Sequence, residues 1–172
     1  MEKSSFKPYI VTGYPRSGTA WVANLLTTDR TSCLHEGSVV PNIEAWLHTT
    51  PNAGISCPSA ALFGWVGNYR VLKIERDKQE SRLAFRTALR GAYSSDFVNH
   101  YDLLEVALSK LTPELTIPFE EVFSRGEEIW RWAYPHLEPN LLRLTQLSDT
   151  KVEQKLATTL KRGLSAHLTI KT

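Results

Sequence analysis

Hydrophobic and polar positions along this chain predict strands that alternate with helices. Short runs of apolar and β-branched residues predict strands at Tyr9–Thr12, Ser32–His35, Tyr69–Ile74 and Leu115–Ile117. Apolar residues three or four apart predict helices at Trp21–Leu26, Ile43–His48, Lys78–Gly91, from Asp96 onward, at Glu127–Tyr134 and at Val152–Arg162. Parallel strands need a crossover, which is usually helical. The pattern therefore predicts an α/β fold with three layers, α/β/α, around a central, mostly parallel sheet.

Composition limits the chain to one domain without a strong overall charge. Its 172 residues, of which 42% are hydrophobic, suit a single core, so we expect one domain over residues 1–172. Twenty basic residues against eighteen acidic ones leave a net charge of +2. This balance favours neither a nucleic-acid partner nor an anionic membrane, so any anion site must be local.

The N-terminal residues and the cysteines predict a cytoplasmic protein. No long apolar stretch suited to export or to membrane spanning occurs near the N-terminus. Cys33 and Cys57 are best interpreted as two reduced, buried thiols, and they have no metal-site spacing.

A glycine-rich loop follows the first predicted strand. Gly13 and Gly18 are five residues apart between a strand and a helix, so backbone N–H groups can converge there on an anion. This resembles a nucleotide-binding P-loop. A Walker A loop places Lys and then Ser or Thr after its second glycine, whereas Thr19 and Ala20 stand here, and the basic residue is Arg16 inside the loop.

The segment Tyr-Pro-Arg-Ser-Gly-Thr-Ala-Trp, residues 14–21, resembles the 5′-phosphosulfate-binding motif of the P-loop sulfotransferases. These enzymes use 3′-phosphoadenosine 5′-phosphosulfate (PAPS). With Arg16 accepted for the usual Lys, the segment departs from the motif only at Ala20, where many members have a second Thr. The resemblance implies a P-loop NTPase-like fold, sulfotransferase activity, PAPS as co-substrate and no metal ion.

The same resemblance implies a role for each loop residue. Arg16 stands where the family has the cation that contacts the transferred sulfuryl group and the leaving oxygen. A fixed cation and oriented N–H dipoles can neutralise that oxygen without a metal. The remaining implied cofactor-binding positions are Pro15, Ser17, Gly18 and Thr19 around the 5′-phosphate, Ala20 without its hydroxyl, and Trp21 against the adenine.

A second segment resembles the family's 3′-phosphate motif, in which Arg-Asp ends a strand and a Ser follows eight residues after the Arg. Arg76-Asp77 matches its first half, and the resemblance implies that Arg76 binds the 3′-phosphate. Lys78 stands where proline is usual, and Ala84 stands at the expected serine. Ser81 is the nearest serine and is the candidate for that contact.

The catalytic base is predicted in the loop after the second strand. Loops that follow parallel strands emerge at one edge of the sheet, so His35 and Glu36 should border the phosphosulfate loop. A base must remove the acceptor's proton, and adjacent residues on an extended chain point to opposite sides, so one of the pair should face the acceptor. The family uses His in some members and Glu in others. We favour Glu36, because a strand-end His35 can equally be a structural residue; if neither serves, the base lies in the unassigned residues 56–65.

Two other functions remain open at this stage. One is a nucleotide or nucleoside kinase with an unusual P-loop, and the other is a degenerate module that binds nucleotide without turnover. The missing Walker lysine argues against the kinase, whereas Ala20 and Ala84 favour the degenerate module. The acceptor is expected to be a small molecule or a carbohydrate with a hydroxyl or amine group.

Overall fold

Five strands form one parallel sheet in the computed structural model, which describes residues 6–36, 40–88 and 96–148. The strands are β1 Tyr9–Gly13, β2 Ser32–His35, β3 Ala53–Ser56, β4 Arg70–Glu75 and β5 Leu115–Pro118. Their order across the sheet is β2-β3-β1-β4-β5, and each neighbouring pair is parallel. The predicted α/β class with a parallel central sheet is confirmed.

The described residues also form six α-helices and three 3₁₀ turns, of which the last two helices and the last turn follow β5. The helices are α1 Thr19–Leu25, α2 Ile43–Thr49, α3 Lys78–Ala88, α4 Asp96–Ser109, α5 Gly126–Ala133 and α6 Leu141–Ser148. The 3₁₀ turns are Pro58–Leu62, Val66–Asn68 and Phe119–Glu121.

The central strand β1 is buried on both of its faces. Successive side chains of a strand point to opposite faces, so Tyr9 and Val11 belong to one core together with Trp21 of α1. Ile10 belongs to the core of the other face, together with Leu47 of α2. Helices therefore cover both faces of the sheet and form three layers.

Most predicted elements match those of the structure, and β3 is the main difference. Pro51, Gly54 and Pro58 act as breakers in a local interpretation of the sequence, so no strand was expected there. Gly54 instead lies opposite Tyr9 of β1, and a Cβ on Gly54 would come within 2.1 Å of the Tyr9 ring. The missing side chain leaves space for that ring, which is a long-range reason for a glycine inside a strand.

Two further comparisons concern helices. The spacing of Tyr101, Leu104, Leu108 and Leu111 predicts one apolar stripe on α4. The first three are buried on this helix, whereas Leu111 lies beyond its end and is partly buried. Helix α6 was not predicted, and the helix predicted at Val152–Arg162 lies outside the described residues.

The two cysteines have the state that was predicted from the sequence. Cys33 and Cys57 are free and buried, as predicted. Burial raises the pKa of the Cys33 thiol to about 12 and that of the Cys57 thiol to about 11, so both stay protonated near neutral pH.

In the described ranges, no helix is long and apolar enough to span a membrane.

The connections of the sheet place a crevice at the carboxyl ends of β1 and β4. After β1 the chain runs to β2 at one edge of the sheet, and after β4 it runs to β5 at the opposite edge. The loops after these neighbouring strands therefore diverge, and ligands of open α/β sheets bind at such a switch point.

Gly13 lets the ends of β1 and β4 come close together. It is in register with Ile74, and a Cβ on Gly13 would lie 2.6 Å from the Ile74 carbonyl oxygen. Because that oxygen belongs to the backbone of a central strand, it cannot move away at low cost.

We expect Gly13→Ala to lower the free energy of unfolding by about 1–3 kcal/mol, since it overpacks this strand pair. Urea denaturation followed by circular dichroism measures the change. Gly64→Ala is the control, because a Cβ there meets no heavy atom within 4 Å, and it should change stability by less than about 0.5 kcal/mol. Equal stabilities of the two variants would contradict the close approach.

Candidate functional site

The backbone of the loop between β1 and α1 alternates between two conformations. Arg16 has a φ of 63° and Gly18 a φ of 82°, and Ser17 between them is outside the positive-φ region. Such alternation turns successive backbone N–H groups toward one concave side, which suits an anion. A residue with a side chain rarely adopts the φ of Gly18 and would be strained there, so the conformation favours glycine.

The side chains of this loop divide between the protein interior and the surface. Pro15, Ser17 and Thr19 are buried, whereas Arg16 is exposed. Ser17 Oγ has no hydrogen-bond partner among the described residues. Because buried hydroxyl groups are normally hydrogen-bonded, this atom marks a position where a ligand can supply the missing partner.

Ser81 of α3 supports the loop from within the protein. Its side chain is fully buried, and its hydroxyl donates a hydrogen bond of 2.5 Å to the Pro15 carbonyl. Its Oγ also lies 3.0 Å from the hydroxyl of Tyr101, which stacks on the ring of Tyr14. Ser81 was predicted as a 3′-phosphate ligand, but in this structure its hydroxyl hydrogen is engaged by the loop backbone.

Arg76, just after β4, reaches the same loop. Its Nη1 donates to the Arg16 carbonyl, and its guanidinium carbon lies 3.9 Å from the centroid of the Phe119 ring. Its Nε is buried and lacks a partner among the described residues. The predicted cation of the second motif thus lies beside the first motif.

Neither arginine of the site is neutralised by a carboxylate of a described residue. The ion pairs among the described residues involve other cations, and none of them includes Arg16 or Arg76. The neighbouring Asp77 carboxylate instead accepts hydrogen bonds of 2.8 and 2.9 Å from backbone N–H groups in the first turn of α3. Two positive charges therefore remain available to an anion.

Trp21 lies in the core of the protein. Its side chain is only 4% exposed, its Nε1 donates to the Leu147 carbonyl at 3.3 Å, and its ring meets that of Phe123 edge to face. The sequence motif predicted an indole against the adenine. The structure does not bring Trp21 to the loop surface, because this face of α1 packs against α5 and α6.

The two candidate bases differ in their surroundings. His35 Nε2 lies 3.4 Å from the Thr19 hydroxyl. Burial lowers the pKa of His35, and the Glu36 carboxylate opposes this shift, so the imidazole is neutral at pH 7 and can accept a proton. Glu36 is exposed, has a φ of 64°, and donates its backbone N–H to the Ser56 carbonyl.

An open groove of about 560 Å³ borders the loop next to α3 and α4. We call it the apolar groove, and its lining consists of Pro15, Glu36, Cys57, Pro58, Ser59, Phe63, Phe85 and His100. Ser59 Oγ and His100 Nε2 are hydrogen-bonded to each other at 3.1 Å. Glu36 is therefore the candidate base that lines this groove, whereas His35 contacts the loop.

A second groove of about 490 Å³ lies next to β4 and β5. We call it the acidic groove, and its charged lining residues are Lys73, Glu75, Arg76, Asp77, Glu105 and Glu120. Lys73 is already paired with Glu75 at 2.9 Å. Because carboxylates outnumber cations here, this groove disfavours a phosphate, and an anion bound by Arg76 should lie on the side of the loop.

Sequence reasoning predicted Pro15 and Glu36 of the apolar groove as site residues but missed the rest of its lining. Ser59 and Phe63 belong to the segment 56–65, which was left unassigned, and neither Phe85 nor His100 was a candidate. Ser59 and His100 are 41 residues apart, so no local spacing joins them. The only indication was that residues 56–65 were the alternative location of the base if neither His35 nor Glu36 serves.

In the described part of the chain, no group of three or more His, Cys, Asp or Glu residues is arranged to hold a metal ion. The expectation that catalysis needs no metal stays a prediction.

Comparison with known proteins identifies no relative. No family model matches the chain, and no curated protein or solved structure shows a significant match to it. The argument for function therefore depends on the residues of the site.

We expect Ser81→Ala to lower the free energy of unfolding by about 1–3 kcal/mol, because the buried Pro15 carbonyl loses its donor. Ser124→Ala is the matched control, since its hydroxyl bonds to the Glu121 carbonyl on an exposed turn, and it should change stability by less than about 0.5 kcal/mol. Chemical denaturation measures both variants. A Ser81→Ala protein as stable as the control would mean that this serine does not support the loop.

Proposed function

We propose that this protein is a PAPS-dependent sulfotransferase that moves a sulfuryl group to a hydroxyl or amine acceptor. The main support is the convergence of Arg16, Ser17 and Arg76 on one loop. Ser17 Oγ and Arg76 Nε are buried atoms without a described partner. The two arginines have no described counterion. The two anionic groups of one nucleotide, its 5′-phosphosulfate and its 3′-phosphate, would together supply the missing partners.

In this proposal the loop binds the 5′-phosphosulfate. Backbone N–H groups around Gly18, together with the Ser17 hydroxyl, hold the phosphate. The exposed Arg16 side chain contacts the sulfuryl group and the bridging oxygen. As the bond from sulfur to that oxygen breaks, negative charge grows on the leaving phosphate, and a fixed cation lowers the barrier by stabilising this charge. In this proposal the protein has a fold of the P-loop NTPase type and acts in the cytoplasm. The transfer uses no metal ion.

Arg76 binds the 3′-phosphate in the proposed complex. Its Nε is unpartnered among the described residues, and its planar guanidinium suits a phosphate. Ser81 contributes by holding the Pro15 carbonyl, and Trp21 contributes by packing α1 against the core. These two residues therefore support the loop without contacting the nucleotide.

Glu36 is the proposed base, because it lines the apolar groove that borders the loop. An acceptor in this groove would transfer its proton to the carboxylate while its oxygen or nitrogen bonds to sulfur. His35 is the alternative base, since its neutral imidazole lies beside Thr19. A negative Glu36 would also stabilise a protonated His35.

One other enzymatic function remains an alternative. The carboxylates of the acidic groove do not support it, because no three of the described residues there are arranged to hold a metal ion. A nucleotide or nucleoside kinase would use Mg²⁺ with ATP. Nucleotide binding without turnover, as in a degenerate module, is the remaining alternative.

Ligand binding separates the sulfotransferase from the kinase. We expect adenosine 3′,5′-bisphosphate, without metal and with a chelator present, to raise the melting temperature by about 5–10 °C at a hundredfold excess over its Kd. Differential scanning calorimetry measures the shift. Stabilisation by ATP with Mg²⁺ but not by the bisphosphate would reject the sulfotransferase proposal.

Two arginine variants test whether Arg76 contributes to bisphosphate binding, one as the test and one as its control. Arg76→Ala should weaken bisphosphate binding, because the proposed 3′-phosphate contact is lost. Arg131→Ala should bind as the unaltered protein does, since Arg131 pairs with Glu127 on the exposed side of α5. Equal binding by both variants would remove Arg76 from the site.

Turnover identifies the base. With PAPS and a working acceptor, we expect Glu36→Gln to lower kcat by about a hundredfold or more and to leave bisphosphate affinity unchanged, because only proton removal is lost. His35→Asn should retain most of the activity. The reverse result would assign the base to His35, and full activity of both variants would exclude the pair.

A further inference from the structure

The apolar groove has walls of aromatic and apolar side chains. Phe63 and Phe85 both line it, each next to a second aromatic residue. Phe63 stacks on Trp65 with centroids 5.2 Å apart, and Phe85 lies 6.3 Å from the ring of Tyr101. These neighbours restrict the two phenylalanine rings, so the groove offers flat apolar surfaces that are ordered before a ligand arrives.

Few polar groups interrupt these walls. Ser59 and His100 form one hydrogen-bonded pair, and Glu36 supplies one carboxylate. Cys57 adds no charge, because burial raises its pKa to about 11. A carbohydrate has hydroxyl groups around its whole ring and would leave several of them against apolar walls without partners.

The size and position of the groove suit a small molecule. Its volume of about 560 Å³ lies within the roughly 300–1,000 Å³ of small-molecule sites. Pro15 of the loop forms part of its wall, so a molecule in the groove lies next to the phosphosulfate loop.

We infer that the apolar groove binds a small, flat, mostly apolar molecule with one hydroxyl group, and that the Ser59–His100 pair recognises a hydroxyl on it. Phe63 and Phe85 contact the apolar body. The inference builds on the proposed function by naming the class of acceptor, and it favours an aromatic alcohol over a sugar. The binding itself requires no nucleotide.

The test measures binding of 5-hydroxyindole to the full chain by equilibrium dialysis, without nucleotide. We expect saturable binding that weakens about fivefold or more in Phe63→Ala and in Phe85→Ala, because each removes an apolar wall. Phe123→Ala is the matched control, since Phe123 is 49% exposed and lies against Trp21 on the other face of the sheet. It should bind as the unaltered protein does.

Indole tests the polar part of the inference, because it lacks the hydroxyl of 5-hydroxyindole. The unaltered protein should prefer 5-hydroxyindole about fivefold. This preference should disappear in Ser59→Ala and in His100→Ala, whereas indole affinity should change little. A variant that had only lost structure would bind both ligands more weakly.

Three results would overturn the inference. They are no saturable binding of 5-hydroxyindole, binding that neither phenylalanine variant weakens, and preferential binding of methyl β-D-glucopyranoside that these variants abolish. Because bisphosphate is absent from this experiment, its outcome is independent of the nucleotide titration. Failure of the groove and failure of the proposed reaction are therefore distinguishable.

Discussion

The close parallel contact between the ends of β1 and β4 is the constraint on which the site depends. Gly13 is in register with Ile74, and only a residue without a side chain fits against the Ile74 carbonyl. This contact brings the loop after β1 next to the residue that follows β4. The Arg76 side chain can then reach the Arg16 carbonyl, although the two residues are 60 positions apart.

A second constraint links the loop to the apolar groove. The buried Pro15 carbonyl accepts its hydrogen bond from Ser81 of α3, and Ser81 contacts Tyr101 of α4. The same helices carry Phe85 and His100 into the groove, so the supports of the loop and one part of the groove lining belong to the same two helices. A change in the packing of α3 on α4 should therefore alter both places together.

Local sequence patterns predicted much of the fold, because periodicity and turn residues act over a few positions. The bounds of β2 were predicted without error, and the buried stripe of α4 was predicted from its spacing. Strand β3 was missed because a glycine such as Gly54 normally interrupts the local pattern of a strand. Gly54 is needed there because the Tyr9 ring of the neighbouring strand occupies the space of a side chain. Long-range packing of this kind has no local signal.

The same distinction applies to the candidate site. The loop conformation followed from Gly18, since its φ of 82° is a local property of the backbone. The surroundings of Trp21 and Ser81 did not follow, because both side chains are enclosed by residues distant in sequence. A motif specifies residue types at fixed spacing, but partners such as Ser59 and His100 meet only after the chain has folded.

The surroundings of Arg76 explain how a chain with a net charge of only +2 can present a local anion site. Five other described cations are paired with carboxylates at short range, as Lys78 is with Asp102 and Glu105 on α4. Arg76 instead contacts a carbonyl group and an aromatic ring, and neither of these cancels its charge. Partial removal of an unpaired guanidinium from water has a desolvation penalty. An anion that pairs with the guanidinium offsets this penalty, and the gain contributes to the free energy of binding.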